Sequence, residues 1–310
     1  MMRTFAAHGD LIHDPASGMT HRAPTPIGSG RVTLAQATVT GWPPVAPGDL
    51  GRSTPDSICW SPIVRCNLHC PQCLDDTSVK EADTTERHRV AHVLADADVL
   101  GVDISGGEPL LLRDLPRLLD IVRGGRRSAV SITTNGWHLA RRAAELAGHT
   151  DAIRVSLDGP DSDRHDAIRG PLSFARAIEG IQTAVALRIP VQIQTVLMRR
   201  TAGYLQEMVD LAAGLGACGF SALQMLPIGA GTALPDELLS DDEALTLFTA
   251  LDVPERLNMR LRNRDVAGNF TVIRADGRVW RNDSTALNIG GLHPLRSATD
   301  LALSAREGTP

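Results

Sequence analysis

A chain of 310 residues has room for one large α/β domain with a small appendage. Its 43% hydrophobic and 22% charged residues are ordinary for a globular protein. No apolar run approaches the ~18 residues of a membrane helix, so no membrane partner is expected. A net charge of −5 and 3% aromatic residues supply neither the basic surface nor the stacking platforms that nucleic-acid binding needs.

Residues 1–55 are rich in Gly, Pro, Thr and His. Two extended pieces, 3–12 and 31–40, predict an N-terminal accessory sheet or cover, and the Pro-rich stretch 41–49 reads as a linker. Residues 1–10 lack the apolar region of a secretory signal, so a reducing cytoplasm is the expected compartment. From Ser57 the pattern becomes strand–helix alternation. A strand over 57–63 feeds a cysteine loop, followed by a helix over 84–97 and a strand over 101–104. A helix over 112–123 leads to a strand over 129–133, and a helix over 139–147 to a strand over 152–157. Helices over 173–187 and 204–215 precede strands over 191–198 and 220–225. Such alternation implies parallel βαβ units. Six of them predict a partial (β/α)6 TIM-like barrel with its site at the C-terminal strand ends. After Pro227 the alternation stops. A helix over 241–251 and a β-hairpin, 270–273 with 278–280, make a small C-terminal α/β extension. The expected division is 1–55 accessory, 56–232 core and 233–310 extension.

Arginine supplies nearly all the positive charge, and Lys80 is the only lysine, so no other amine is available for Schiff-base chemistry. The five cysteines are Cys59, Cys66, Cys70, Cys73 and Cys218. An odd number, with three of them crowded together, is no disulfide framework. Cys66, Cys70 and Cys73 stand in C-x3-C-x2-C spacing just after a strand. Three thiolates suit a [4Fe–4S] cubane and leave one iron open. Zinc held with His69, or unligated thiols, are the other readings of the loop by itself.

Further motifs follow successive strands. They are Ser105-Gly106-Gly107-Glu108-Pro109, Ile132-Thr133-Thr134-Asn135-Gly136 and Ser156-Leu157-Asp158-Gly159-Pro160. Singly each is a turn, a cap or a strand exit. Together, behind the cysteine loop, they line the rim where a curved parallel sheet collects ligand contacts.

In this order the sequence resembles the radical S-adenosylmethionine (SAM) superfamily, in its SPASM/twitch-like branch of peptide-modifying and cofactor-building enzymes. The resemblance implies one [4Fe–4S] cluster on Cys66, Cys70 and Cys73. It places the SAM amino group at Gly106, Gly107 and Glu108, with further SAM contacts at Thr134, Ser156 and Asp158. In the run Arg164-His165-Asp166-Ala167-Ile168-Arg169-Gly170, Arg169 would meet the SAM carboxylate. Leu226-Pro227-Ile228-Gly229-Ala230-Gly231 resembles the segment after the sixth strand. Two departures stand out. Gln72 occupies a position commonly aromatic in the family. The hairpin from Gly268 to Trp280 resembles a SPASM frame, yet no cysteine follows Cys218, so no auxiliary cluster is expected there.

The activity implied is reductive cleavage of SAM to a 5′-deoxyadenosyl radical, which abstracts a hydrogen atom from a peptide or other natural-product precursor. Flavodoxin or ferredoxin would supply the electron. Cys218 is the candidate hydrogen donor for an epimerisation, weighed against a buried structural thiol. The alternatives are a sugar or nucleoside substrate, or a non-catalytic iron–sulfur sensor or binding partner.

Overall fold

The computed structural model describes residues 1–74, 78–263, 270–282 and 288–303. Strands β1 (Met2–Gly9), β2 (Leu11–His13), β3 (Thr20–Arg22) and β4 (Gly28–Ala35) form an antiparallel sheet in the order β3-β2-β1-β4. β1 and β4 pair along their full length, from Met2 opposite Ala35 to Gly9 opposite Gly28. Residues 36–40, expected to be extended, instead form the short helix α1 (Gln36–Thr40). Phe5, Ala7, Ile12, Ala23 and Val39 pack between α1 and the sheet.

The main body alternates as expected, through β5 (Ser57–Trp60), α2 (Thr84–Asp96), β6 (Gly101–Ile104), α3 (Leu115–Gly124), β7 (Ala129–Thr134), α4 (Leu139–Leu146) and β8 (Ala152–Ser156). Then come α5 (Ser162–Arg169), α6 (Ser173–Ala186), β9 (Val191–Leu197), α7 (Arg199–Ala202), α8 (Leu205–Gly214) and β10 (Gly219–Gln224). β5 to β10 lie side by side in chain order, all parallel. Their outward residues, among them Ile58, Val102, Ile104, Val130, Ile132, Ile153, Val155, Val191 and Ile193, join the helices in one apolar core. The inward positions are polar: Ser57, Asp103, Ser131, Thr133, Arg154, Ser156 and Gln194. Parallel strands covered by helices on both faces are apolar throughout. This alternation therefore belongs to a curved sheet with helices outside and a polar interior, a partial TIM-like barrel.

The C-terminal region extends that sheet at both edges. α9 (Asp241–Thr249), with a capping box between Ser240 and Glu243, leads to β11 (Asn258–Arg262), which pairs in parallel with β10. At the other edge β12 (Thr271–Ile273) runs parallel to β5, then antiparallel to β13 (Arg278–Arg281), which pairs with β14 (His293–Pro294). The expected hairpin is thus present, and β11 is an additional strand. Gly268 and Asn269 of the hairpin frame lie outside the described residues.

The accessory sheet seals the N-terminal rim of the barrel. Arg31 reaches Asp151 with both terminal nitrogens, at 2.7 and 2.5 Å, and donates to the Ser128 carbonyl at 2.9 Å. The loop from Asp14 to Gly18 plugs the barrel floor. Arg154 donates to the carbonyls of Pro15 and Ala16, and Arg260 to that of Ser17. Beside the plug, buried His13 hydrogen-bonds the Thr20 hydroxyl, which donates to Asp56.

Burial lowers His13 from 6.5 to about 4, with Arg154 adding to the effect and Asp56 opposing it. Burial likewise takes His165 from 6.5 to about 4, helped by Arg169. Unfolded imidazoles protonate near 6.5, whereas these resist until about 4, so unfolding takes up protons between those values. Stability is expected to be full above pH 6.5 and to fall toward pH 4, by about 1.4 kcal/mol per unit for each histidine. Urea unfolding across this range checks it, and a flat profile would refute it.

Candidate functional site

The cysteine loop leaves the C-terminal end of β5, and the chain after β6 is laced to it. Ser105 N donates to Trp60 O, Gly107 N to Ile63 O and Glu108 N to Arg65 O, at 2.8–2.9 Å. Side chains at either glycine would collide with this backbone. A Cβ on Gly106, whose φ is +113°, meets Ile63 O, and one on Gly107 meets the carbonyls of Val64 and Arg65. The two glycines are thus explained by the close approach of two backbone segments. Glu81 holds the loop entrance, accepting from Val64 N and Arg65 N. Against burial, which would raise it, these bonds hold the Glu81 carboxyl below its usual range. Arg65 is exposed and paired with Glu81. At the other end Ala230 N donates to Cys73 O at 2.9 Å, and a Cβ on Gly229 would press on the carbonyls of Cys73 and Leu74.

Glu108 is fully buried and ties the rim together. It accepts from Leu110 N, the Thr134 hydroxyl and Asn135 N at 2.7–2.9 Å. Burial raises its pKa, while these donors hold it down. Thr134 and Glu108 therefore satisfy each other. Their carboxylate and hydroxyl position the neighbouring Asn135, part of the same sequence motif though not among the expected SAM contacts. Asn135 Nδ2 donates to Asn67 Oδ1 at 3.0 Å and points at Cys66 Sγ at 3.7 Å.

A second buried hub is Asp158. It accepts from Gln72 Nε2 at 2.7 Å, Arg169 Nε at 2.6 Å and Val196 N at 2.8 Å. Arg169 ends α5, a helix the sequence showed only as a motif. Asp161 caps its start by accepting from Arg164 N, and Gly170, at φ 109°, ends it. Held by Asp158, Arg169 extends a terminal nitrogen to 3.9 Å from Cys70 Sγ. His165 Nδ1 accepts from Asp158 N, and Tyr204 donates to the Asp158 carbonyl. Among the described residues the buried Gln72 Oε1 meets no hydrogen-bond donor.

Beneath the loop lies a cavity of about 370 Å³. Gln72, Cys73, Ser105 and Gly106 bound its upper part, and His13 and Gly18 its floor. Ser156 lines it as well. Phe270, Trp280 and Leu226 give it one apolar wall. Cys59 also faces this space, its Sγ 2.9 Å from Ser105 Oγ, rather than the helix core. Burial pushes its thiol up to about 11, so it is neutral.

Cys218 lies elsewhere. It precedes β10 on the N-terminal rim, where its thiol donates to Val191 O at 3.1 Å and its carbonyl accepts from Gln36. The whole length of β10 separates it from the cysteine loop, so the structure does not bring the candidate hydrogen donor to the site.

The donor set fits an iron–sulfur cluster. Cys66, Cys70 and Cys73 are partly buried soft thiols on one loop, and N–H groups of Asn135 and Arg169 point at two of the sulfurs. Hydrogen bonds to sulfur are a feature of such centres. Among the described residues no three Cys, His, Asp or Glu gather closely enough for a single ion, and His69 is exposed. A cubane requires no such convergence, since each thiolate takes a different iron. Burial raises Cys66, and it raises Cys70 to about 11 despite Arg169, so loading must displace protons.

Comparison with known proteins agrees. The family model of the radical SAM superfamily matches residues 60–212. The chain is 31% identical over 188 residues to a mycofactocin maturase of Mycobacterium tuberculosis (strain ATCC 25618 / H37Rv), covering 59% of this chain and 48% of that one. A probable GTP 3′,8-cyclase of Halobacterium salinarum is 33% identical over 180 residues, covering 54% of this chain and 50% of the other. The chain thus spans about half the length of these curated relatives. In fold it resembles Streptococcus suis SuiB, solved with its precursor peptide SuiA, with a TM-score of 0.61 at 18% identity over 73% of this chain and 59% of that one. The cysteine loop, the rim motifs behind it and the matched domain agree, and the chain belongs to the radical SAM superfamily, whose members use a [4Fe–4S] cluster and S-adenosylmethionine.

Proposed function

We propose that this protein is a radical SAM enzyme that takes a hydrogen atom from a peptide, as a step in that peptide's maturation. The observation that carries this is the set of three thiols at the C-terminal mouth of the barrel, directly over the cavity. Cys66, Cys70 and Cys73 would hold the cluster and leave one iron for SAM. When bound and reduced by a flavodoxin or ferredoxin, that pair supplies a 5′-deoxyadenosyl radical, the hydrogen-abstracting species. The chain's own residues orient and shield. Asn135 and Arg169 stabilise negative charge on the sulfurs, and Asp158 fixes Arg169 and Gln72. Gly106 and Ser156 border the space where SAM would lie, and the wall of Phe270 and Trp280 excludes water.

Residues 56–232 would carry this chemistry. The region 233–310, with no cysteine, would shape the cavity through β11 to β13. A peptide substrate is supported by the likeness to a maturase and by the peptide-bound fold relative. A reducing cytoplasm suits three partly buried thiols that form no disulfide. Among the described residues no helix is long and apolar enough to cross a membrane. Protein reconstituted without oxygen with iron and sulfide should release 5′-deoxyadenosine from SAM when reduced. None from a preparation with a demonstrably loaded cluster would overturn the reading.

A further inference from the structure

The cavity carries more positive charge than its scaffold uses. Four arginines line it: Arg154, Arg260, Arg262 and Arg274. Asp103, its one lining carboxylate among the described residues, is already engaged. It accepts from Ser131 and Thr133 at 2.7 Å and pairs with Arg154 at 2.9 Å. Arg154 is further spent on the floor plug, and Arg260 gives one nitrogen to the Ser17 carbonyl there.

Arg262 stands differently. On β11 the apolar Met259 and Leu261 pack toward the helices, so Arg260 and Arg262 share the inner face. The parallel register sets Arg260 level with Ser221, Gln194 and Ser156. Arg262 pairs with Leu223, one inward step nearer the cysteine loop. Its guanidinium lies over the Phe270 ring, 4.9 Å from the centroid, and it makes no ion pair with the described residues. A ring face orients the fork and leaves its N–H edges for a ligand.

We propose that Arg262, backed by Arg260, receives a carboxylate of the substrate peptide inside the barrel, below the reacting position. The inference rests on the peptide reading above and adds the chemistry of recognition. A guanidinium fork matches a carboxylate through two parallel N–H···O bonds. Gln194 and Ser156 add hydrogen-bonding groups on the same inner surface. The electrostatics agree: burial first, then Arg262 and Arg154, lower Arg260 from 12.5 to about 9, against the opposing pull of Asp56 and Asp14. Burial lowers Arg262 too. An entering carboxylate relieves this repulsion. A C-terminus and an acidic side chain offer the same group.

Calorimetric titration of the reconstituted full chain separates the sources. The probes are N-acetyl-alanine for a C-terminus, N-acetyl-glutamate α-amide for a side chain, neutral N-acetyl-glutamine amide and inorganic phosphate. One carboxylate probe is expected to saturate, the neutral probe not. Arg262→Gln should weaken that binding at least ~10-fold, and Arg262→Lys should recover part of it, with unfolding midpoints matching wild type. Equal binding by the Gln variant, or no saturation by either carboxylate, overturns the inference. Phosphate binding more tightly than both carboxylates also overturns it, in favour of a phosphorylated substrate. Formation of 5′-deoxyadenosine is measured on the same wild-type preparation. If that succeeds while carboxylate binding fails, this inference falls alone; if it fails with the cluster loaded, the enzymatic reading falls.

Discussion

Alanine at Cys66, Cys70 or Cys73 is expected to remove cluster loading and, with it, all SAM cleavage. Each thiol is the sole ligand its position offers, and each would hold a different iron of the cubane. The loss should exceed the roughly 10- to 100-fold that removal of an outer partner costs a metal site. Asn135→Ala provides that comparison, because its amide lies 3.7 Å from Cys66 Sγ and makes no covalent demand on the cluster. Iron and sulfide content, visible absorbance and 5′-deoxyadenosine yield are the measurements. Cysteine variants that keep full iron and the same absorbance would refute the ligand assignment. Cys218→Ala should leave loading unchanged, since its thiol is on the opposite rim and bonded to Val191 O.

Asp158→Ala is the second large effect, and it appears without any cofactor. The carboxylate is fully buried and satisfies Arg169, Gln72 and Val196 N together. Its removal leaves a largely buried guanidinium uncompensated, at a cost of about 3–5 kcal/mol. Burial lowers the Arg169 pKa and Asp158 opposes it, but an arginine starts from so high a value that its guanidinium stays charged in the variant and bears the penalty. Urea unfolding of the apo-protein measures the loss. Asp158→Asn, which can still accept hydrogen bonds, should lose less. A change under about 1 kcal/mol in the Ala variant would show that the hub is not stressed as the geometry implies. The same substitution frees Arg169 and Gln72 to wander, so weaker SAM binding should accompany it.

The cysteine spacing, the strand–helix alternation and the order of the rim motifs were legible in the sequence because each is local. C-x3-C-x2-C restricts what the loop can hold, and the resemblance carried by the rim motifs behind it points to the cluster. Val102, Ile104, Val130, Ile132, Ile153 and Val155 announce strands by period and β-branching. The inward polar set, Asp103, Ser131, Thr133, Arg154 and Gln194, was equally present in that alternation. That polar set is the sequence's own sign of a polar interior.

What tertiary structure alone decided is which groups consume one another. Glu108 and Thr134 read as ligand contacts, yet they are 26 residues apart in sequence and bond each other. Asp158 likewise spends its carboxylate on Gln72, 86 residues away, and on Arg169. Arg154 is committed to a plug 138 residues distant, whereas Arg262, unremarkable in sequence, is left available at the cavity. Cys218 and the cysteine loop are both adjacent to strands, but at opposite ends of parallel ones, so equal local contexts gave opposite rims. A side chain's preference for strand, turn or cap is set by its neighbours in the chain. Its remaining hydrogen-bonding capacity is set by whatever the fold brings against it, and in a parallel sheet every such pairing is long-range.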